Sequence, residues 1–454
     1  AGSAIGSNST YSITKDGRGS ARLMITPSGS GAFEVDVDFV LTSSSHGLIS
    51  RFDGSGTGSG TIDLQSNVGQ ATLANLPYAF SISGADSVGN PLSIMGAFLL
   101  DSAGNITTTG ASAGVADATL YSFNTFTATP FADSPLSGVV QIGSGTAPGP
   151  ATLDVSSFGT LAFDVYVVDS THLKFIETDG LKITVGDAFT QPTASIPAGN
   201  LVFSMLGPDP GGNPFAAAGL MTSDGSSIIS NGSEDLNDDG QIDFGTNPIA
   251  PQPFSGTFSA TGSGRFLVTL SSFAGGTTFA AYPSSGGLLM QEIDAGVGSG
   301  VTTGVALTQT NGAAIATSQG YGLNLTGVDL SNFVEVDEIA EFQATSSSLT
   351  GLLDANDGGS LTTNNLNASY SVGSDGVGSA SLNAGFQSMF FYPADNSTAL
   401  FLSTDSLVVG LGVFEAQATP AQSALDRTRA LATIRPIPRP HLASASAKRR
   451  FVRR

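Results

Sequence analysis

The chain has no cysteine and no tryptophan in 454 residues. The missing cysteine excludes a disulfide framework, a thiolate nucleophile and a Cys-ligated zinc or iron–sulfur site. Histidine occurs only at His46, His172 and His441, and the three are scattered, which argues against a multi-His metal centre. Charged residues make up only 12%. No apolar run reaches the roughly 18 residues of a membrane-spanning helix. Long helix-forming runs of Glu, Lys, Leu and Arg are missing until the C-terminal stretch. The chain opens at Ala1 without Met, which suggests a removed leader and a secreted, extracellular-surface location.

What is present is glycine (58 residues), abundant Ser and Thr, and 40% hydrophobic residues. That apolar content is too high for a disordered chain, and the length suits three or four modules rather than one core. Net charge is −21 and uneven. Residues 418–454 hold nine Lys and Arg against the single acid Asp426, so this tail carries about +8 and the body about −29. An acidic body of this kind disfavours nucleic acid as a partner.

Internal repetition is the strongest signal. A hairpin motif recurs as NSTYSITKDGRGSARLMI (8–25), PFSGTFSATGSGRFLVTL (253–270) and NASYSVGSDGVGSASL (367–382), with a degenerate copy at 134–155. An aromatic strand follows each copy, as FEVDVDFVL, FDVYVVD, TFAAYP and MFFYPAD, then a strand ending in Asp. Each copy closes on a glutamine: Gln65, Gln191, Gln309 and Gln417. A second half-module alternates with the first, as YAFSISGAD (78–86), LVFSMLGPD (201–209) and YGLNLTGVD (321–329). Period-two alternation and Asp-Gly turns at 16–17 and 375–376 predict strands and hairpins.

The predicted fold class is therefore all-β: tandem antiparallel barrels or sandwiches of about eight strands, with a lone N-terminal half-module and a basic C-terminal tail. The predicted boundaries are 1–76 for the half-module, 77–199, 200–319 and 320–417 for three full modules, and 418–454 for the Pro/Arg-rich tail. A half-module leaves edges and an apolar face uncovered. It could pack on the next module, pair with another molecule by strand addition, or have lost its upstream half.

The pairing of YSITKDGRGSARL with FDVYVVDSTHLKFIETD resembles repetitive secreted proteins of acidobacteria. There, a Gly-Arg-Gly hairpin precedes a Phe-x-x-Tyr-Val-Val strand and each repeat closes on Gln. Gly17-Arg18-Gly19 has the full form, Gly264-Arg265 part of it, and Gly376-Val377-Gly378 has lost the arginine. The resemblance implies a bacterial surface β-protein and carries no active site.

The best candidate for bound chemistry is Asp235-Leu-Asn237-Asp238-Asp239-Gly240-Gln241-Ile242-Asp243. Asp235, Asn237 and Asp239 have the spacing of calcium-loop oxygens, Gln241 offers a carbonyl and Asp243 a further carboxylate. Thr246 stands where a full EF-hand carries its bidentate Glu, so the expectation is one structural calcium ion, with an Asx-rich turn as the alternative. Asp354-Ala-Asn356-Asp357 is a weaker copy. His46 and His172 fall just after aromatic strands, where exposed loops are expected. No converging nucleophile, base and acid are apparent, so the chain is read as non-enzymatic.

These features suggest an extracellular structural protein that self-assembles head to tail, with an adhesin or glycan-binding repeat as the alternative. The basic tail would meet the acidic body of a neighbouring copy or an anionic cell envelope.

Overall fold

Alternating polarity along short segments lets each strand fill a barrel with one face and meet its surroundings with the other. The computed structural model describes residues 4–27, 31–143, 145, 147–180, 182–246 and 249–418. The predicted tail, apart from Ala418, lies outside these residues. Within them the protein is all-β, and helix is confined to short turns at Gln70–Leu73 and Asp243–Gly245.

The N-terminal sheet comprises β1 (Ala4–Ile5), β2 (Thr10–Ile13), β3 (Arg18–Thr26), β4 (Phe33–Leu41), β5 (His46–Arg51) and β6 (Ser59–Asp63). Its order is β1-β3-β4-β5-β6, with β2 also on β3. The first barrel follows as β7 (Pro77–Asp86), β8 (Pro91–Leu99), β9 (Val115–Ser122), β10 (Thr127–Val140), β11 (Gly149–Val155), β12 (Gly159–Asp169), β13 (His172–Glu177) and β14 (Lys182–Thr190). The second uses β15 (Gly199–Pro208), β16 (Pro214–Ser223), β17 (Ile228–Asp238), β19 (Gln252–Gly262), β20 (Arg265–Ser271), β21 (Thr278–Ser284), β22 (Gly287–Glu292) and β24 (Thr303–Thr308). The two-residue strands β18 (Gln241–Ile242) and β23 (Gly296–Val297) lie outside its ring. The third barrel is β25 (Gly320–Asp329), β26 (Val334–Ala344), β27 (Ser348–Asp357), β28 (Ser360–Val372), β29 (Gly378–Leu382), β30 (Ser388–Pro393), β31 (Thr398–Ser403) and β32 (Val408–Ala416).

Each barrel is an eight-stranded antiparallel meander closed by its first and last strands: β7 on β14, β15 on β24 and β25 on β32. Full closure removes the exposed edges of an open sheet, and it settles the choice between barrel and sandwich. Aromatics fill the interiors. In the third barrel, Phe342, Phe391 and Phe401 pack around Phe414 with ring centroids 4.9–5.8 Å apart. This explains the last glycine of the Gly-Arg-Gly motif. A Cβ on Gly378 would lie 2.0 Å from the Phe391 ring, and one on Gly19 2.4 Å from Phe39. The first glycine turns the hairpin, with φ of 83° at Gly17 and 84° at Gly376.

The chain forms two compact units. One holds the N-terminal sheet, residues 239–245 and the third barrel; the other holds the first and second barrels. The lone half-module thus packs on the last module of the sequence rather than on the next one. Its partner is set by matching surfaces, not by adjacency along the chain.

Candidate functional site: a module interface used twice

Outward-facing side chains of a barrel strand alternate with those that fill its interior. In the unit of the first two barrels, β7 and β8 meet β21 and β22. Small and slender residues let the strands approach. Ala79, Met95, Ala97 and Val115 pack in one buried cluster with Ala280, Tyr282, Leu289 and Ile293. At its margin the hairpin arginine Arg265 is buried and grips the buried Asp117 of β9 bidentately, Nε to Oδ2 at 2.8 Å and Nη2 to Oδ1 at 2.7 Å. The Tyr282 hydroxyl donates to Asp117 as well. Burial first, and then the Asp117 charge, raise the tyrosine's pKa and keep it a donor. Gln191, the closing glutamine of the first barrel, donates to the Gly264 carbonyl of the hairpin at 3.1 Å.

The other unit repeats this arrangement. Strands β25 and β26 meet β4 and β5. Gly322 leaves room for Val40, Leu48 and Thr42, which lie 3.1–3.2 Å from where its Cβ would stand. The hairpin arginine Arg18 donates to Asp354 of β27, and the closing Gln417 donates to the Asp16 carbonyl at 2.5 Å and to Leu41 at 3.2 Å. The registers Met95↔Asp117 and Ile339↔Asp354 place the two aspartates at one module position. The Gly-Arg hairpin and the closing Gln are therefore two halves of one coupling device.

This second interface is far more acidic. The Gly58 amide donates to Asp337 at 2.7 Å, and the Thr57 hydroxyl to Glu335 at 2.9 Å. Burial raises the pKa of both acids, and the Asp337 charge adds to the effect at Glu335. Burial also pushes Glu341 up to about 7, with the Asp16 charge adding to it and Arg18 opposing. Asp38 rises to about 7 through burial and then the Asp354 charge, against the pull of Arg18. His46 bridges the sheet to the barrel, Nδ1 to Asp63 at 2.6 Å and Nε2 to Glu415 at 3.0 Å. Burial opposes its charge, but Glu415 and Asp63 outweigh burial and hold its pKa up at about 9. His172 in the first barrel faces Asp187 at 2.6 Å and stacks on Phe189. Both histidines are buried at the first position of a strand, β5 or β13, rather than exposed in loops. Each needs its carboxylate because an unpaired polar ring would be costly there.

Of the five residues expected to hold calcium, two lie in a strand and the others in the turn segment that follows it. Asp235 and Asn237 are buried in β17, and the register Ala218↔Asp235 gives Asp235 the module position of Asp117 and Asp354. Asn237 likewise matches Thr119 and Asn356. Thr119 accepts from Gln291 at 3.1 Å, and Asn356 donates to the Arg51 and Gly56 carbonyls at 2.8 Å each. The Asp-x-Asn spacing is thus also the two-residue period of a strand, which aims both side chains at one face. Asp239 turns with φ 50°, Gln241 is exposed in β18, and Asp243 is buried at φ 46°. Asp235, Asn237 and Asp243 all take part in interactions within the protein. Among the described residues, no three Asp, Glu, His or Cys side chains gather to hold a metal ion.

Sequence reasoning missed Asp117, Tyr282 and Glu415, and took Asp354 for a member of a weaker calcium loop. A loose signal for the aspartates was present: an Asp follows each second-half opening after 33–39 residues, at 117, 235 and 354.

Fold and site together define three eight-stranded meander barrels, with one Arg–Asp pair joining the first two and another joining the N-terminal sheet to the third. No family model matches the chain, and no curated protein matches it. Among solved structures it is similar to a protein described as an AttH from Nitrosomonas europaea, at 10% identity over 75% of this chain and 92% of that one, TM-score 0.19. It is also similar to intact Ap-TbpB with its N and C lobes, at 11% identity over 82% and 84%, TM-score 0.18. Transferrin Binding Protein B from Haemophilus parasuis gives 9% identity over 92% and 94%, TM-score 0.15. Scores this low carry no argument about this chain.

Proposed function

We propose that this chain is a non-enzymatic, extracellular structural protein of bacterial surfaces that self-assembles head to tail. The observation that carries the reading is the interface used twice. The face of a barrel's two opening strands (β7–β8 or β25–β26) receives a face from a hairpin-bearing half (β4–β5 or β21–β22), with the hairpin arginine seated on the third-strand aspartate each time. Such a heterologous contact can be repeated without closing on itself, so copies joined this way form an open array. The segregated charge, about +8 in residues 418–454 against an acidic body, supports tail-to-body attraction between copies or docking to an anionic envelope.

Negative-stain electron microscopy and sedimentation of the full chain test this reading. Filaments or layers at low salt that dissolve near 0.5 M NaCl, where screening shrinks the Debye length to a few ångströms, are expected. Deleting residues 418–454 should also disperse them. Monodisperse monomers at high concentration and low salt, with the tail intact, would overturn it.

A further inference from the structure

Among the described residues, the N-terminal sheet keeps the interior face of a barrel without the strands that close it. In the three barrels, the residue matching Ile62 is Ala188, Ala306 or Phe414, each at most 1% exposed. Each lies opposite an apolar residue of the first strand: Phe80, Phe203 or Leu323. Ile62 itself is 41% exposed, and Leu64 and Tyr11 on the same face are 68% and 76% exposed.

Gly60 shows what this face is shaped to receive. Its counterparts are Gly186, Gly304 and Gly412, one per barrel, each opposite the first strand. There a Cβ would lie 2.1, 1.9 and 2.3 Å from a first-strand carbonyl oxygen, of Ser81, Ser204 and Asn324 respectively. Glycine is required at those three sites because a neighbouring backbone presses against them. At Gly60 nothing lies within 4 Å of that position. The glycine of a paired last strand is present, and among the described residues no strand pairs with it there.

We propose that β6 and the apolar face beside it form an acceptor site for a barrel-opening half-module of this repeat class, carried by another polypeptide. Its leading strand adds antiparallel to β6, with an aromatic or leucine side chain opposite Ile62 and a backbone carbonyl over Gly60. The intact barrels supply the register: Leu323 opposite Phe414 and Leu325 opposite Gly412. Strand addition of this kind takes affinity from main-chain hydrogen bonds and specificity from alternate side chains. The site deepens the assembly reading and rests on it, since it names one contact through which modules on separate segments join.

The test uses the full chain and a synthetic peptide copying residues 320–329, GYGLNLTGVD, followed by calorimetry and hydrogen exchange over residues 58–65. Saturating peptide should slow exchange there by roughly tenfold or more, and a scrambled peptide should leave it unchanged. Gly60→Val should abolish peptide binding while leaving the melting temperature of the free chain unchanged, because its side chain meets nothing until a strand arrives. Equal binding by Gly60→Val, or no protection at millimolar peptide, would overturn the proposal. So would protection of 58–65 that rises with the concentration of the chain alone, which would make a second copy the occupant. Peptide binding by a chain that stays monomeric at low salt supports the acceptor site and counts only against the filament.

Discussion

The Arg265–Asp117–Tyr282 cluster is a buried charge pair with every strong partner inside the protein. Removing one member leaves an uncompensated charge, a loss of about 3–5 kcal/mol, whereas replacing both by apolar groups of similar size is often near neutral. Arg265→Ala is therefore expected to lower the urea midpoint of the first two barrels markedly, and Arg265→Met with Asp117→Leu to restore most of it. A single mutant with an unchanged midpoint would show that the pair contributes nothing. Arg18 is a gentler case. Its side chain is 24% exposed, so water compensates in part and Arg18→Ala should cost less. Gly322→Ala tests the packing of the same interface, since the new methyl would meet Val40, Leu48 and Thr42 at 3.1–3.2 Å and should loosen the sheet from the barrel.

Between elements, the acid-rich seat of the N-terminal sheet makes its attachment pH-dependent. Asp38, Glu335, Asp337 and Glu341 have raised pKa values, so the folded protein holds protons that the unfolded chain releases. Their contribution is greatest below their ordinary values near 4 and is lost as pH climbs toward about 7. His46 acts in the same direction: its stabilisation is full below about 6.5 and lost as pH rises through about 9. Asp53, lowered to about 2 despite burial by its bonds to Arg51 and Ser55, acts oppositely, and only in strong acid. Proteolysis of the N-terminal sheet should therefore be slower at pH 5 than at pH 8.5, and Asp337→Asn with Glu335→Gln should flatten that difference. The calcium question belongs to this scale too. An ion at 100 times its Kd stabilises a fold by about 2.7 kcal/mol. The strand placement of Asp235 and Asn237 predicts no such shift between calcium and EGTA in a thermal melt. A clear rise with calcium would support an ion held by these residues. These residues also mark the limit of what sequence conveys. Alternation and turn glycines revealed the strands and the module count, because those signals are local. Whether Asp-x-Asn lines a loop or a strand face depends on which module lies against it, and no local spacing encodes that. The burial of His46 was hidden for the same reason, since its partner Glu415 lies 369 residues away.

Across the molecule, the half-module belongs with a barrel assembled from the far end of the sequence. The sheet ends near residue 63, and the barrel that seats it closes only with β32, which ends at Ala416. At roughly 5–20 residues per second of synthesis, the earliest strands wait about 18–70 s for the strand that completes their seat. Through that interval the face carrying Val40 and Leu48 has no partner, beside the interior face carrying Tyr11 and Ile62. The nascent protein thus presents two apolar surfaces of one thin sheet until β32 emerges, and a holdase at the ribosome or translocon would find a client segment there.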